Sequence, residues 1–427
     1  MEKSLFPAWV DKFFKSFALK ASETVNGTKN PLTYLHKTML RKTFSTTLKW
    51  GSVSSNGAIV RADVVALDSS LPLKRRDSVQ TASGDIPKLG MKMYLNETIM
   101  TELRTLLAIG GREAEVLRNL FSDTKKCING VYETLEFMFL EALSTGVTLI
   151  TGDDSTGLGI RIDFGHPDDN KFGVALPWTN ANATPIDDIN NVIAQAKVKG
   201  NKLSYLLMDM NTWNLFKANT QVKNEFAFSL GFVGSTIPNV PNVDRANEFL
   251  KASYGVTIQI IDRQMLVEQN GKRTVTTPWA ANIVCFLTDL NVGTLTYGAL
   301  AEESFPVKQV DYQKVDDLIL LSKYGTNDPV REFTSSQALA LPVLDNVDSI
   351  YLMDVTDSVE DVQIEGDANF LYKTVLYTKA SAIAGLNLAN PGQPLTVGSS
   401  DAAILKAINK LSDEDELVFA SALVPAV

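Results

Sequence analysis

Cysteine and histidine are almost missing from this chain: two of each in 427 residues, Cys127, Cys285, His36 and His166. Two cysteines build neither a disulfide framework nor a cysteine-ligated structural zinc site, and two histidines leave little room for histidine-based metal chemistry. No run approaches the roughly 18 consecutive apolar residues of a membrane span, which excludes a membrane-spanning helix. Nucleotide and hydrolase signatures are also lacking. There is no Gly-x-x-x-x-Gly-Lys-Ser/Thr phosphate loop and no Gly-x-Ser-x-Gly elbow. Gly157-Leu158-Gly159 has neither the third glycine nor the strand-to-helix context of a dinucleotide site. Nor is there a basic excess: 40 Lys and Arg against 49 Asp and Glu give a net charge of −9. That balance argues against a protein whose whole surface coats nucleic acid. Structural proteins and carboxylate- or lysine-based enzymes remain.

What is present describes a folded chain with a sizeable core: 45% hydrophobic, 21% charged and 8% aromatic residues. The length implies two to four structural units, since single cores rarely grow past about 250–300 residues. Charge is polarised along the chain. Residues 1–50 hold nine basic and three acidic side chains, whereas residues 345–427 hold four and thirteen. A basic leading arm and an acidic tail suit a two-faced assembly steered by long-range fields, with the arm inward and the tail outward.

Phe6, Trp9, Val10, Phe13, Phe14 and Phe17 recur at three- and four-residue spacing, the face of a short helix that docks on its own or a neighbouring subunit. Lys12 and Lys15 interrupt any signal-peptide core. Residues 21–56 are Ser-, Thr- and Asn-rich with scattered apolar positions, and read as an extended arm that must be buried against something else. Two β-stretches follow, 58–67 and 86–95, separated by a charged excursion containing Lys74-Arg75-Arg76. In the second, Met91, Met93 and Leu95 share one face and Lys92 and Tyr94 the other. This pattern predicts a projecting two-stranded hairpin, which is unstable alone in water and needs a neighbour.

Residues 96–145 carry the strongest helical periodicity, with Asn96 as N-cap, a break at Gly110-Gly111 and a stop at Gly146. From 112 to 145 the helix would span about 50 Å, a spine longer than one small core requires. Cys127 lies on its apolar stripe and reads as packing. Strands are expected at 147–150 and 159–164. An α/β region follows: a helix opening at Pro185, a strand at 203–208, a short helix with Trp213, a helix from Val243, a strand at 256–261 and a hairpin turn at Asn270-Gly271. A buried strand holds Cys285, and strands return at 315–324 and 328–344. From Asp345 the composition shifts to short strands, among them 349–353 and 371–376, with acidic turns. A helix capped by Ser400 then points Ile404, Ala407, Ile408 and Leu411 inward. The class is α+β.

Candidate chemistry is sparse. Asp153-Asp154 and His166-Pro167-Asp168-Asp169 are the only clusters resembling metal ligands. Both lie in Gly/Asp/Asn-rich turns where Asp serves the backbone. Lys74-Arg75-Arg76 has no interleaved aromatics, so a partner-contacting hairpin tip is favoured over a nucleic-acid site.

The order of these pieces resembles the tailed-phage major capsid proteins of the HK-97-like fold, and most closely the lambda-like major capsid protein E family. The resemblance rests on Leu71-Pro72-Leu73-Lys74-Arg75-Arg76 leading to Ser83-Gly84-Asp85-Ile86-Pro87-Lys88-Leu89, and on Gly293-Thr294-Leu295-Thr296-Tyr297-Gly298 before Glu302-Glu303. It rests too on Asp328-Pro329-Val330 with Ser336-Gln337-Ala338-Leu339-Ala340-Leu341-Pro342-Val343.

The resemblance implies an N-terminal arm (1–56), an E-loop hairpin (57–95), a peripheral domain with the spine helix (96–176), an axial domain (177–314) and peripheral return strands (315–344). Residues 345–427 form an additional C-terminal α+β unit that the family core does not need, an outward decoration or a clasp. Implied further are hexamers and pentamers of the chain around double-stranded DNA, no active site, no cofactor and no membrane. Scaffolding, portal and decoration proteins are the expected partners, the virion the destination, and the host cytoplasm the place of assembly. Leu71, Lys74, Arg75, Arg76 and Lys88 carry over as an intersubunit contact. The rival readings are an encapsulin-like compartment, a tail or baseplate component, and a carboxylate-dependent hydrolase using Asp153, Asp154, Asp163 and Asp168.

Overall fold

In the computed structural model, the described residues are 2–26, 33–54, 80–108, 113–150, 160–229, 242–269 and 271–358, together with 362–363, 369–372, 375–389, 395, 404, 407–408 and 410–423. They divide into two compact units. The first comprises Met1–Phe172, Asn191–Trp213 and Asn242–Leu352, the second Gly173–Asn190, Asn214–Pro241 and Met353–Val427.

The first unit opens with helix α1 (Pro7–Glu23), which buries Val10, Phe14, Ala18 and Ala21. After a single turn, α2 (His36–Met39), strand β1 (Leu40–Phe44) pairs in parallel with Gly293–Gly298. Strands β2 (Lys49–Ser54) and β3 (Gln80–Asp85) form an antiparallel ladder running from Lys49↔Asp85 to Ser54↔Gln80. Strand β4 (Lys88–Leu95) then joins the main sheet against Val330–Leu344. The expected strand 86–95 is thus a single strand that starts at Lys88, and its partner is Val330–Leu344 instead of a hairpin mate. Pro87 has no N–H for a ladder, and pairing passes across Ile86-Pro87 from the β2–β3 ladder to the main sheet. Residues 58–67 lie outside the described residues.

On β4 the alternation holds: Leu89 and Leu95 are buried, Met91 and Met93 half-buried, and Lys88, Lys92 and Tyr94 exposed. Helix α3 (Glu97–Ala108) is capped as expected, the Asn96 side chain accepting from Ile99 N at 3.0 Å. Helix α4 (Glu113–Thr145) is the spine, 33 residues and about 50 Å long. Leu120, Cys127, Ile128, Val131, Leu135, Met138, Phe139 and Leu143 are buried along it. It ends at Gly146, whose φ of +80° is the left-handed stop that glycine provides.

The main sheet runs β1, Gly293–Gly298, Val330–Leu344, Ile319–Asn327 and Asp311–Val315, with β4 also on the long strand Val330–Leu344. One continuous core joins this sheet to α1 and α4. A hairpin of Val147–Ile150 with Ile160–Asp163 follows the spine. A smaller set pairs Tyr205–Asp209 in parallel with Thr257–Ile261 and antiparallel with Ile283–Leu287, where Cys285 is buried. Met265–Gln269 and Lys272–Thr276 make a separate two-stranded hairpin.

The leading arm also departs from expectation. Tyr34, His36, Met39, Leu40 and Trp50 are buried in the chain's own core instead of waiting for a neighbour.

In the second unit, Trp178 anchors a polar knot. Its indole donates to Asp188 Oδ2 at 2.9 Å and its backbone N–H to Val355 O at 3.0 Å. The tail has its own small core of Ala382, Ile383, Leu386, Ile404 and Phe419, with Ala407, Ile408 and Leu411 packed against it as the periodicity implied. The expected strand 371–376 is two strands, Asn369–Tyr372 and Val375–Thr378, because Tyr372 pairs with Val375. Helices Lys379–Ala389 and Asp413–Ser421 had no counterpart in the sequence reading.

Candidate assembly surface

Of the five residues expected at the hairpin contact, Lys88 is the described one, exposed at the start of β4 opposite Leu339. Leu71, Lys74, Arg75 and Arg76 lie outside the described residues. The base from which their segment departs is firmly held. Ser52 Oγ donates to Leu344 O at 2.6 Å, and the buried Trp50 ring lies 5.5 Å from Phe164.

Two buried carboxylates fix the leading segment to the body. Glu332 receives Ser4 Oγ at 2.5 Å and Leu5 N at 2.9 Å, while Glu2 and Gly325 exchange backbone hydrogen bonds. Behind Glu332 stands Lys323, fully buried, 3.8 Å from the Glu332 carboxylate and donating to Thr334 Oγ1 at 2.9 Å. Burial pulls the Lys323 ammonium below its ordinary range, opposed by the charge of Glu332. Glu136 on the spine accepts from Leu35 N at 2.8 Å, His36 N at 3.0 Å and the His36 ring at 2.6 Å. Nearby, Asp316 takes Lys37, Lys42 and the Tyr132 hydroxyl. Burial alone would raise its pKa; the hydrogen bonds from the two lysines and Tyr132 bring it below the usual carboxylate range. The seats of the arm on Glu136, Glu332 and Asp316 are not visible in sequence, because those partners lie about a hundred residues or more apart.

The carboxylates of the hydrolase reading are differently disposed. Asp163 is exposed and accepts from Gly165 N at 2.9 Å; Asp168 is exposed and engaged by Lys171 at 2.7 Å, which holds its carboxyl below the usual range. His166 is buried, and burial pulls its pKa down to about 4. Asp153 and Asp154 lie outside the described residues. Among the described residues, no group of three or more His, Cys, Asp or Glu side chains could hold a metal ion. Both thiols are buried, and desolvation raises Cys127 to about 12 and Cys285 further still.

The profile of the phage major capsid protein E family matches residues 22–355. The chain belongs to that family. The match takes in the arm seat, the spine helix and every strand of the main sheet. No curated protein matches the sequence. Among solved structures, a putative prophage capsid protein of Escherichia coli CFT073 is similar at 12% identity, over 83% of this chain and 99% of that one, with a TM-score of 0.49. A phage-related protein of Bordetella bronchiseptica RB50 follows at 11% identity, 79% and 96% coverage and a TM-score of 0.45. A capsid chain of cyanophage A-1(L) gives 12%, 78%, 96% and 0.40. As a phage major capsid protein E, the chain is a structural, shell-forming component of a phage or prophage capsid, and it associates with copies of itself.

Proposed function

We propose that this capsid protein forms, as hexamers and pentamers, the icosahedral shell around the double-stranded DNA of a tailed phage, without catalytic activity. The observation that carries this reading is the family match across residues 22–355. The HK-97-like division into arm, E-loop, peripheral and axial domains, at the boundaries read from sequence, belongs to the same proposal. So does the role of Leu71, Lys74, Arg75, Arg76 and Lys88 as an intersubunit contact, with scaffolding, portal and decoration proteins as partners and the host cytoplasm as the place of assembly. Physical support comes from the spine and its sheet. The 33-residue helix and the main sheet share one core, a body large enough to offer separate faces to several neighbours. Electron microscopy of the expressed chain tests the shell, and nuclease-protected DNA in shells from infected or induced cells tests the cargo. Monomers that never associate would overturn the first, and shells filled only with protein the second.

A further inference from the structure

Among the described residues, the hairpin Met265–Gln269/Lys272–Thr276 has no third strand on either outer edge. Leu266 and Val275 are register partners, and so are Glu268 and Arg273. Strand alternation puts all four on one face. Leu266 is 70% and Val275 64% exposed, whereas Met265, facing the other way, is buried. Beyond the apolar pair, Arg273 Nε donates to Glu268 Oε2 at 2.7 Å. A two-stranded ribbon gains little stability by itself, and an open cross-strand apolar pair adds to the wet apolar surface.

We propose that this face packs against the same face of a second copy of the chain, an inference that rests on the shell-forming reading. Charge selects the occupant. The face carries one acid and one base, so it complements itself in a way that a uniformly acidic or basic partner would not. A two-fold axis along the hairpin sets Leu266 on the partner subunit's Val275 and Glu268 against the partner subunit's Arg273. Each copy then meets opposite charge and covers the other's apolar pair. Four side chains fall far below the roughly 800 Å² per partner of a stand-alone interface. The contact therefore forms only where other shell contacts already hold the copies together.

Single-cysteine chains Leu266→Cys and Val275→Cys test the geometry, since Cys127 and Cys285 are buried and do not compete. Shells co-assembled from the two variants and mildly oxidised should give a dimer band on non-reducing gels, several-fold stronger than shells of either variant alone. A second arm, Leu266→Asp, should lower shell yield or shell melting temperature while leaving the circular dichroism of unassembled chain unchanged. Shells that form normally with no preferential mixed cross-link overturn this contact and leave the capsid reading intact. A wild-type chain that makes no shells overturns both.

Discussion

Ser4 and Glu332, 328 positions apart, are joined by a 2.5 Å hydrogen bond from the serine hydroxyl to a carboxylate that is itself buried beside Lys323. The first residues of the chain thus complete the polar satisfaction of a charge pair in the main sheet. Replacing Glu332 by Ala strands the Lys323 ammonium without its counter-charge, which costs about 3–5 kcal/mol. Ser4→Ala removes one hydrogen bond to a charged acceptor, about 2 kcal/mol. In urea unfolding of the unassembled chain, the double variant should lose less than the sum of the two, because both act on one carboxylate. Strict additivity would separate the two sites.

His166 sets an acid limit. Burial, helped by the charge of Lys171, holds its pKa at about 4, below the ordinary 6.5. Between those values the unfolded chain binds a proton that the folded chain refuses, so stability is fully present above about pH 6.5 and drains away as pH falls towards 4. The difference amounts to about 3 kcal/mol. Melting temperature followed from pH 7 to 4 should fall in the native chain, and His166→Leu should flatten that fall. An unchanged slope in the variant would assign the acid sensitivity elsewhere.

Local periodicity carried much of this architecture. The face alternation of Leu89, Met91, Met93 and Leu95, the stripe from Leu120 to Leu143 and the Asn96 cap all depend on neighbours within a turn or two, so sequence exposes them. The seats of the arm do not. Glu136 and Glu332 look like surface charges until the fold brings Leu35, His36, Ser4 and Leu5 to them. That is why residues 21–56 read as an extended arm in need of something else to bury it, while the structure seats Tyr34, His36 and Trp50 in the chain's own interior. The change of sheet at Pro87 was legible in principle, since proline brings no N–H to a ladder, but the polar run Gln80–Asp85 carries no apolar alternation to mark β3.

Strand β4 tolerates no side chain at Gly90. A Cβ there would lie 2.7 Å from the backbone oxygen of Ser336 on the paired long strand. Backbone cannot swing aside as a flexible side chain would, so Gly90→Ala should cost about 1–3 kcal/mol, as overpacking does. Gly51→Ala, where the nearest atom would be 4.0 Å away, should stay within about 0.5 kcal/mol. Equal midpoints in denaturant for the two variants would contradict the close approach.

The tail gives the last test. The family match stops at residue 355, and the main core includes no residue beyond Leu352. Ala382, Ile383, Leu386, Ile404 and Phe419 instead form a core of their own, drawn wholly from the tail. Self-contained burial of this kind is what the decoration reading of the tail requires. A chain ending at Ser358 should therefore still assemble, and its shells should melt within a few degrees of full-length shells in scanning calorimetry. A clasp makes the opposite prediction: shells of the shortened chain would be absent or would dissociate at distinctly lower temperature, because each clasp removed takes intersubunit area with it.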